Sequence, residues 1–208
     1  MESWYDRHAA AMANVEVRSL STLPPNSGWA VDPASGKTFR PDGKFFTVEF
    51  FGFHNSGQEV PSYIAPKVVE IGKGVVLNIA RKLHRKPEEY LLHAKPEAGK
   101  LHAAATLQAS ESNLASGKVP FASVLADPDF RVEEVEIEQD LGRMHGKVNR
   151  HILAQLNDTE RDVMELIGDT SKVDAYRWCN AREIQRLLRT RQHSVSPHLL
   201  EWMGAFTR

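Results

Sequence analysis

The sequence predicts a mixed α+β (α/β) domain with flanking helices packed on a curved mixed sheet. Two observations carry this. Short β-branched and aromatic runs punctuated by Gly, Pro, Asn and Asp fill most of residues 29–153, and runs with helix-start signals fill the last third. Strands and helices segregated in this way are the pattern of an α+β fold.

The elements are expected in the following order. Residues 1–22 read as an N-terminal helical arm and 23–208 as a single domain. Ser3 is placed to cap a helix opening at Trp4, and Trp4, His8, Met12 and Val15 recur at three- and four-residue spacing. Pro24, Pro25, Asn26 and Gly28 mark a loop. Residues 29–31 and 37–39 flank Asp-Pro-Ala-Ser-Gly and form a hairpin, and Asp42-Gly43 is a further turn. The aromatic and β-branched run KFFTVEFF (44–51) predicts a buried strand, with short strands at 60–64 and 68–71. Residues 74–83 (GVVLNIARKL) suit strand or helix by length. Gly72 and Gly74 ahead of Val75 and Val76 favour strand. Strands at 89–94 and 101–107 lie either side of a turn at 96–99. RVEEVEIE (131–138) sets Val135 and Ile137 against acidic neighbours, a half-exposed strand, and 143–153 continues the sheet. In the last third, Thr159 can cap a helix over 160–167. Asn180 with Glu183 is a capping box ahead of IQRLLRTR, and Ser196 before Pro197 opens HLLEWMGAF. The chain shows no internal repeat and no low-complexity segment.

Composition bounds the function. The chain has 208 residues, 41% hydrophobic and 25% charged, the balance of a globular domain with a real core. Lys plus Arg is 26 and Asp plus Glu 27, a net charge of -1, without the basic excess of a nucleic-acid binder. No apolar run is long enough to span a bilayer, and the opening residues lack the apolar core of a signal peptide. One cysteine, Cys179, allows neither an intrachain disulfide nor a Cys-rich zinc site, and a reducing cytoplasm is the expected compartment.

Familiar catalytic signatures are missing. Neither Gly-x-x-x-x-Gly-Lys-Ser/Thr nor Gly-x-Gly-x-x-Gly occurs, which argues against a P-loop enzyme and a dinucleotide-binding dehydrogenase. No Gly-x-Ser-x-Gly elbow supports a serine nucleophile. The 9 histidines, at 8, 54, 84, 93, 102, 145, 151, 193 and 198, show no helical His-x-x-x-His pair, so scattered surface or core histidines are the better reading and no metal site is expected. His93 and His102 bracket the 96–99 turn near one edge of the sheet. Each suits a hydrogen-bonded structural role or that of a general base.

Two stretches stand out. In 93-HAKPEAGKLHAAATLQASESNL-114, Lys95 and Glu97 precede a turn, and Gln108, Ser110, Ser112 and Asn113 follow a strand. In 136-EIEQDLGRMHGKVNR-150, Glu138 and Gln139 close a strand and Lys147, Asn149 and Arg150 follow. Lys147 and Asn149, two apart, share a strand face. Cations and amides on one face suit a diphosphate and sugar hydroxyls; a solvated charged face is the competing reading.

Together these stretches resemble the signature of the NDP-hexose 2,3-dehydratase family. Members carry Ala-Lys-x-Glu-Pro-Gly, then Gln-Ala-Thr-x-Ser-Asn, then Glu-Gln-Gly leading to Lys-x-Asn-Arg. The matching residues here are Ala94, Lys95, Glu97 and Gly99; Gln108, Ala109, Ser112 and Asn113; and Glu138, Gln139, Lys147, Asn149 and Arg150. DGKFFTVEFF is similar to the family's aromatic strand, and WCNAREIQRLLRTRQHSVSPHLLEWM to its closing helices. The departures are Ala98 for Pro, Ser110 for Thr, Asp140 for Gly, Pro96 after Lys95, and an extra residue before Lys147.

The resemblance implies a fold derived from the Nudix architecture, although no Nudix box is present. It implies a cofactor-free lyase that removes the C2 hydroxyl of an NDP-4-keto-6-deoxyhexose after loss of the C3 proton. That reaction belongs to deoxysugar biosynthesis, as in natural-product and antibiotic pathways. Lys95, Glu97, Glu138 and His93 are then the catalytic candidates. Gln108, Ser110, Ser112, Asn113, Gln139, Lys147, Asn149 and Arg150 are the substrate-binding ones. Members are longer and built from two similar halves, of which this chain matches one, so a homodimer is expected. A ketoreductase is the expected downstream partner, with neither nucleic acid nor membrane involved. Two other readings stay open: a non-catalytic module that binds a nucleotide-sugar or a partner, and a dehydratase or isomerase acting on a non-sugar β-hydroxy ketone.

Overall fold

The computed structural model describes residues 4, 7–8, 28–43, 46–54, 59, 62–70, 72–84, 86–97, 100–117, 119–139, 144–156, 162–167, 170–190 and 195–206. Most of the expected N-terminal arm, the Thr159 cap, Gly99, Asp140 and His193 lie outside them. The architecture is mixed α+β, and the chain divides into two compact units. The first comprises Met1–Val15, Gly74–Glu136 and Arg150–Arg208; the second comprises Glu16–Lys73 and Ile137–Asn149. No described helix is long and apolar enough to cross a membrane.

The second unit carries the antiparallel sheet β1 (Ala30–Val31), β2 (Thr38–Phe39), β3 (Phe46–His54) and β4 (Ser62–Glu70), in that order. The expected β1–β2 hairpin is present. Asp32 accepts from the Ala34 amide (3.1 Å) and from Ser35 (2.5 Å), and Gly36 supplies the left-handed residue at φ 72°. Two expectations are corrected here. The strands at 60–64 and 68–71 are one strand, because Pro66 sits on an outer strand where a missing ladder donor costs little. The KFFTVEFF strand is only partly buried, and Phe50 is 56% exposed. Its aromatics alternate to both faces, and two of them meet rings outside the strand: Phe51 lies 4.4 Å from the His145 ring, and Phe53 stacks on Tyr63 at 4.9 Å. The described residues buried in this unit are polar: Thr38, Lys67, Lys147 and Asn149.

The first unit is organised by β5 (Gly74–Arg81), β6 (Glu89–Glu97), β7 (Lys100–Ala104), β8 (Leu107–Ser110) and β11 (Tyr176–Asn180). Its sheet runs β11-β6-β5-β10-β9, with β7 on β6 and β8 on β5. The chain passes into and out of the second unit along β9 (Phe130–Gln139) and β10 (Lys147–Leu156). The strand reading of 74–83 holds. Residues 74–80 are all buried because a core lies on each face of β5, which is why this stretch is continuously apolar rather than alternating. Val76 and Ala80 face one core with Ile184, Leu187, Leu199 and Trp202; Val75, Leu77 and Ile79 face the other with Phe121, Val124, Ile152 and Ile167.

Three α-helices are described: α1 (Glu111–Ala115), α2 (Ala181–Thr190) and α3 (Pro197–Phe206). The predicted capping box of α2 forms reciprocally. The Asn180 amide donates to Glu183 and the Glu183 amide to Asn180 Oδ1, both at 3.0 Å. Pro197 opens α3 as expected. The helix expected over 160–167 is a 3-10 helix over Val163–Ile167, and β11 is a strand inside a region that reads as helical. Its pairing with β6 decides the matter, with Trp178 opposite Leu91 and Cys179 opposite Tyr90. The thiol of Cys179, in no disulfide, is buried there.

Candidate functional site

The site of the first unit begins at a fork in the sheet. β5 and β6 pair at Ala80–Tyr90 and Arg81–Glu89 and then part. The expected strand at 101–107 breaks at Ala105 and Thr106 to fill the opening. β7 runs back along β6 towards the fork, and β8 leaves it along β5. Backbone groups at such a break lose ladder partners, and a buried orphan costs roughly 1–3 kcal/mol. Thr106 and Asn78, both fully buried, take up those groups. Thr106 Oγ1 donates to the Leu91 carbonyl (2.5 Å) and accepts from the Ile79 amide (3.0 Å), while Asn78 Oδ1 accepts from the Thr106 amide (3.1 Å). An asparagine in the middle of GVVLNIA was the sequence signal for this node, and sequence reasoning passed over it.

The fork brings two of the predicted residues into contact. Lys95, on β6, donates to Gln108 Oε1 on β8 at 2.7 Å. Gln108 Nε2 in turn donates to Ser196 Oγ at 3.0 Å. The register sets His102 opposite Lys95, so His93, Lys95 and His102 share one face of the β6–β7 ladder. His93 stacks on Tyr176, its partner across β11, with ring centroids 4.5 Å apart and planes 13° from parallel. Phe121 meets Tyr176 edge-on at 5.2 Å and holds a left-handed backbone (φ 61°), uncommon for a bulky residue.

Electrostatics separate these groups. Burial, then the Lys95 charge, then His8, push His93 down to about 4, so it is a neutral imidazole at pH 7 with little basicity. Burial pushes the Tyr176 phenol up to about 12 and keeps it protonated. Lys95 donates to the neutral Gln108 amide oxygen.

A second group in the same unit is more structural. Ser110 is the N-cap of α1, accepting from the Asn113 amide at 3.3 Å, and its hydroxyl lies 3.0 Å from that of Ser112. Asn113 and Ser112 are exposed. Arg150 clamps Glu134 bidentately (2.9 and 2.6 Å) and reaches Glu111, in the first turn of α1, at 3.2 Å. The hydrogen bond to Glu134 is the largest of the effects holding the Arg150 guanidinium protonated.

The remaining predicted residues fall elsewhere. Glu97 ends β6, and Gln139 ends β9. Glu138 is exposed in the second unit. In that unit Lys147 and Asn149 are buried on one face of β10, as their spacing requires, and Lys147 is paired with Glu70. Arg150 follows Asn149 directly on the strand, so it leaves from the other face. Sequence reasoning missed Tyr176, Ser196 and a trio around Glu201: His151 Nε2 lies 3.7 Å and His198 Nδ1 3.5 Å from Glu201 Oε2, with His198 and Glu201 only partly buried. His151 is fully buried, and neither ring nitrogen has a hydrogen-bond partner among the described residues.

The chain is 25% identical over 166 residues to a dTDP-4-dehydro-6-deoxy-alpha-D-glucopyranose 2,3-dehydratase of Streptomyces violaceoruber. The match covers 76% of this chain but 35% of that protein, so the chain spans about a third of the relative it matches. A sequence model of NDP-hexose 2,3-dehydratases matches residues 1–196, and the chain belongs to that family.

Proposed function

We propose that the chain acts in the 2,3-dehydration of a nucleoside-diphosphate 4-keto-6-deoxyhexose, the reaction class its relative is named for. The C4 ketone acidifies the C3 proton. A base removes that proton, the electron pair of the C3–H bond becomes the new double bond to C2, and the C2 hydroxyl leaves as water with an acid's help. The enol so formed tautomerises to a 3,4-diketo sugar. The substrate's own ketone is the electron sink, so the step balances without oxidant or reductant. What it demands of the protein is a cation or donor at the developing enolate oxygen and a positioned proton acceptor.

The observation that carries the reading is the 2.7 Å bond between Lys95 and Gln108, which joins two family motifs at the fork. Lys95, held by a neutral carbonyl, is suited to the enolate oxygen. Gln108, Ser112 and Asn113 are proposed to meet sugar hydroxyls, and Glu97 to serve in proton transfer. His93, stacked and hardly basic, is proposed to help as a neutral imidazole rather than as the base. The diketo product is reactive and calls for a ketoreductase downstream. We extend the proposal to a two-fold pair of chains, the commonest closed assembly. Incubation with dTDP-4-dehydro-6-deoxyglucose, borohydride trapping and mass spectrometry test the reading: loss of water supports it, and recovery of intact substrate from folded protein counts against it.

A second reading, a module that binds a nucleotide-sugar without chemistry, is favoured by the weak basicity of His93. Tight binding of the keto sugar without any loss of water would select it.

A further inference from the structure

We propose that Ser196 is a positioning residue that sets the polarity of the Gln108 side chain and thereby holds Lys95 in place. The proposal rests on the reading above for the role of Lys95, but not for the geometry. A glutamine amide can present either its oxygen or its NH2 group to a neighbour. A lysine ammonium only donates, so Lys95 needs the oxygen. That orientation persists only if the NH2 end finds an acceptor, and the acceptor is Ser196 Oγ, 88 positions further along the chain.

Ser196 is well fixed for this task. It is 2% exposed, its amide donates to the Ala103 carbonyl at 3.0 Å, and Val195 bridges Ala103 on β7. A serine ahead of a helix ordinarily spends its hydroxyl on the amides of the first turn. Here the Leu199 and Leu200 amides donate instead to the Ser196 carbonyl, at 3.0 and 3.3 Å, and Pro197 has no amide proton to offer. The hydroxyl oxygen is thus turned to Gln108. Removal of the hydroxyl leaves Gln108 Nε2 without its acceptor and lets the amide turn, setting two donor groups, NH2 and ammonium, against each other.

The test uses the full chain and two readouts. Trace acetylation followed by mass spectrometry measures the reactivity of Lys95 against the other lysines as internal standards, without substrate. Ser196→Ala is expected to raise Lys95 labelling several-fold, Ser196→Thr to leave it unchanged, and Gln108→Leu to match Ser196→Ala, with no further rise in the double variant. On the keto sugar, Ser196→Ala is expected to lower kcat roughly five- to tenfold, the size of one neutral hydrogen bond, with KM little changed and Ser196→Thr restoring it. Unchanged Lys95 labelling in folded Ser196→Ala overturns the proposal. Should that variant not fold, Ser196→Cys, which offers only a weak acceptor, carries the same expectations. If the wild-type chain dehydrates nothing, the functional reading fails while the labelling still decides the role of Ser196.

Discussion

Lys95 and Gln108 lie on different arms of the fork, 13 positions apart in the chain, and meet at 2.7 Å. The contact exists because β7 and β8, one stretch of sequence, line the two arms opened by β5 and β6. If Lys95 supports the enolate oxygen, Lys95→Met should reduce kcat by about 10²–10³ with a smaller effect on KM. Steady-state kinetics of folded variants check this, and Lys95→Arg should recover part of the loss.

Thr106 holds the fork together. Thr106→Val keeps the volume but strips the hydroxyl that serves the Leu91 carbonyl and the Ile79 amide. A loss of roughly 2–3 kcal/mol is expected, read as a lower urea midpoint at constant slope.

Acid should weaken the fold through His93 and His151. Burial is the first cause of the lowered value at each, and His93 sits at about 4. Above the ordinary histidine value of 6.5 both states are neutral and nothing changes with pH. As pH falls from there towards 4, the unfolded chain binds a proton that folded His93 refuses, so stability drops, by roughly 1–3 kcal/mol. His93→Phe, which can keep the stack on Tyr176, should flatten that part of the curve in urea titrations run at several pH values.

Arg150 anchors α1 through Glu111 and binds Glu134. Arg150→Met should cost about 1 kcal/mol, since the group is partly exposed. The same variant probes the diphosphate role that its motif implies. A dTDP Kd raised about tenfold by calorimetry supports that role, and an unchanged Kd confines Arg150 to anchoring.

In the second unit, Glu138→Gln tests the proton-transfer role expected of Glu138. Turnover should fall by about 10²-fold if it is the base or acid. Undiminished turnover in a folded variant removes it from the mechanism.

Local signals in the sequence were dependable where a local interaction decides the structure. The Asn180–Glu183 capping box, the Ser196-Pro197 helix start and the Asp32 turn each depend on neighbours within a few residues. What escaped was non-local. β11 is a strand because of β6, not because of any period of its own. The Pro66 strand is continuous because it lies at the outside of its sheet. Phe50 is exposed because aromatic content signals a strand without saying which face is covered. The site was legible in part for the same reason: Lys95 and Gln108 stood out as motif residues, but the partner that orients Gln108 comes from the start of a helix far along the chain. Thr106 and Asn78 read as ordinary strand residues until the fork gave them their partners.

Proton NMR of dTDP-4-dehydro-6-deoxyglucose with the full chain in deuterated water is the decisive experiment for the proposed dehydration. Loss of the C2 hydroxyl is expected, with solvent deuterium delivered to C2 as the enol tautomerises, and both are expected to be suppressed in Lys95→Met. An unchanged spectrum from folded wild-type protein would contradict that proposal.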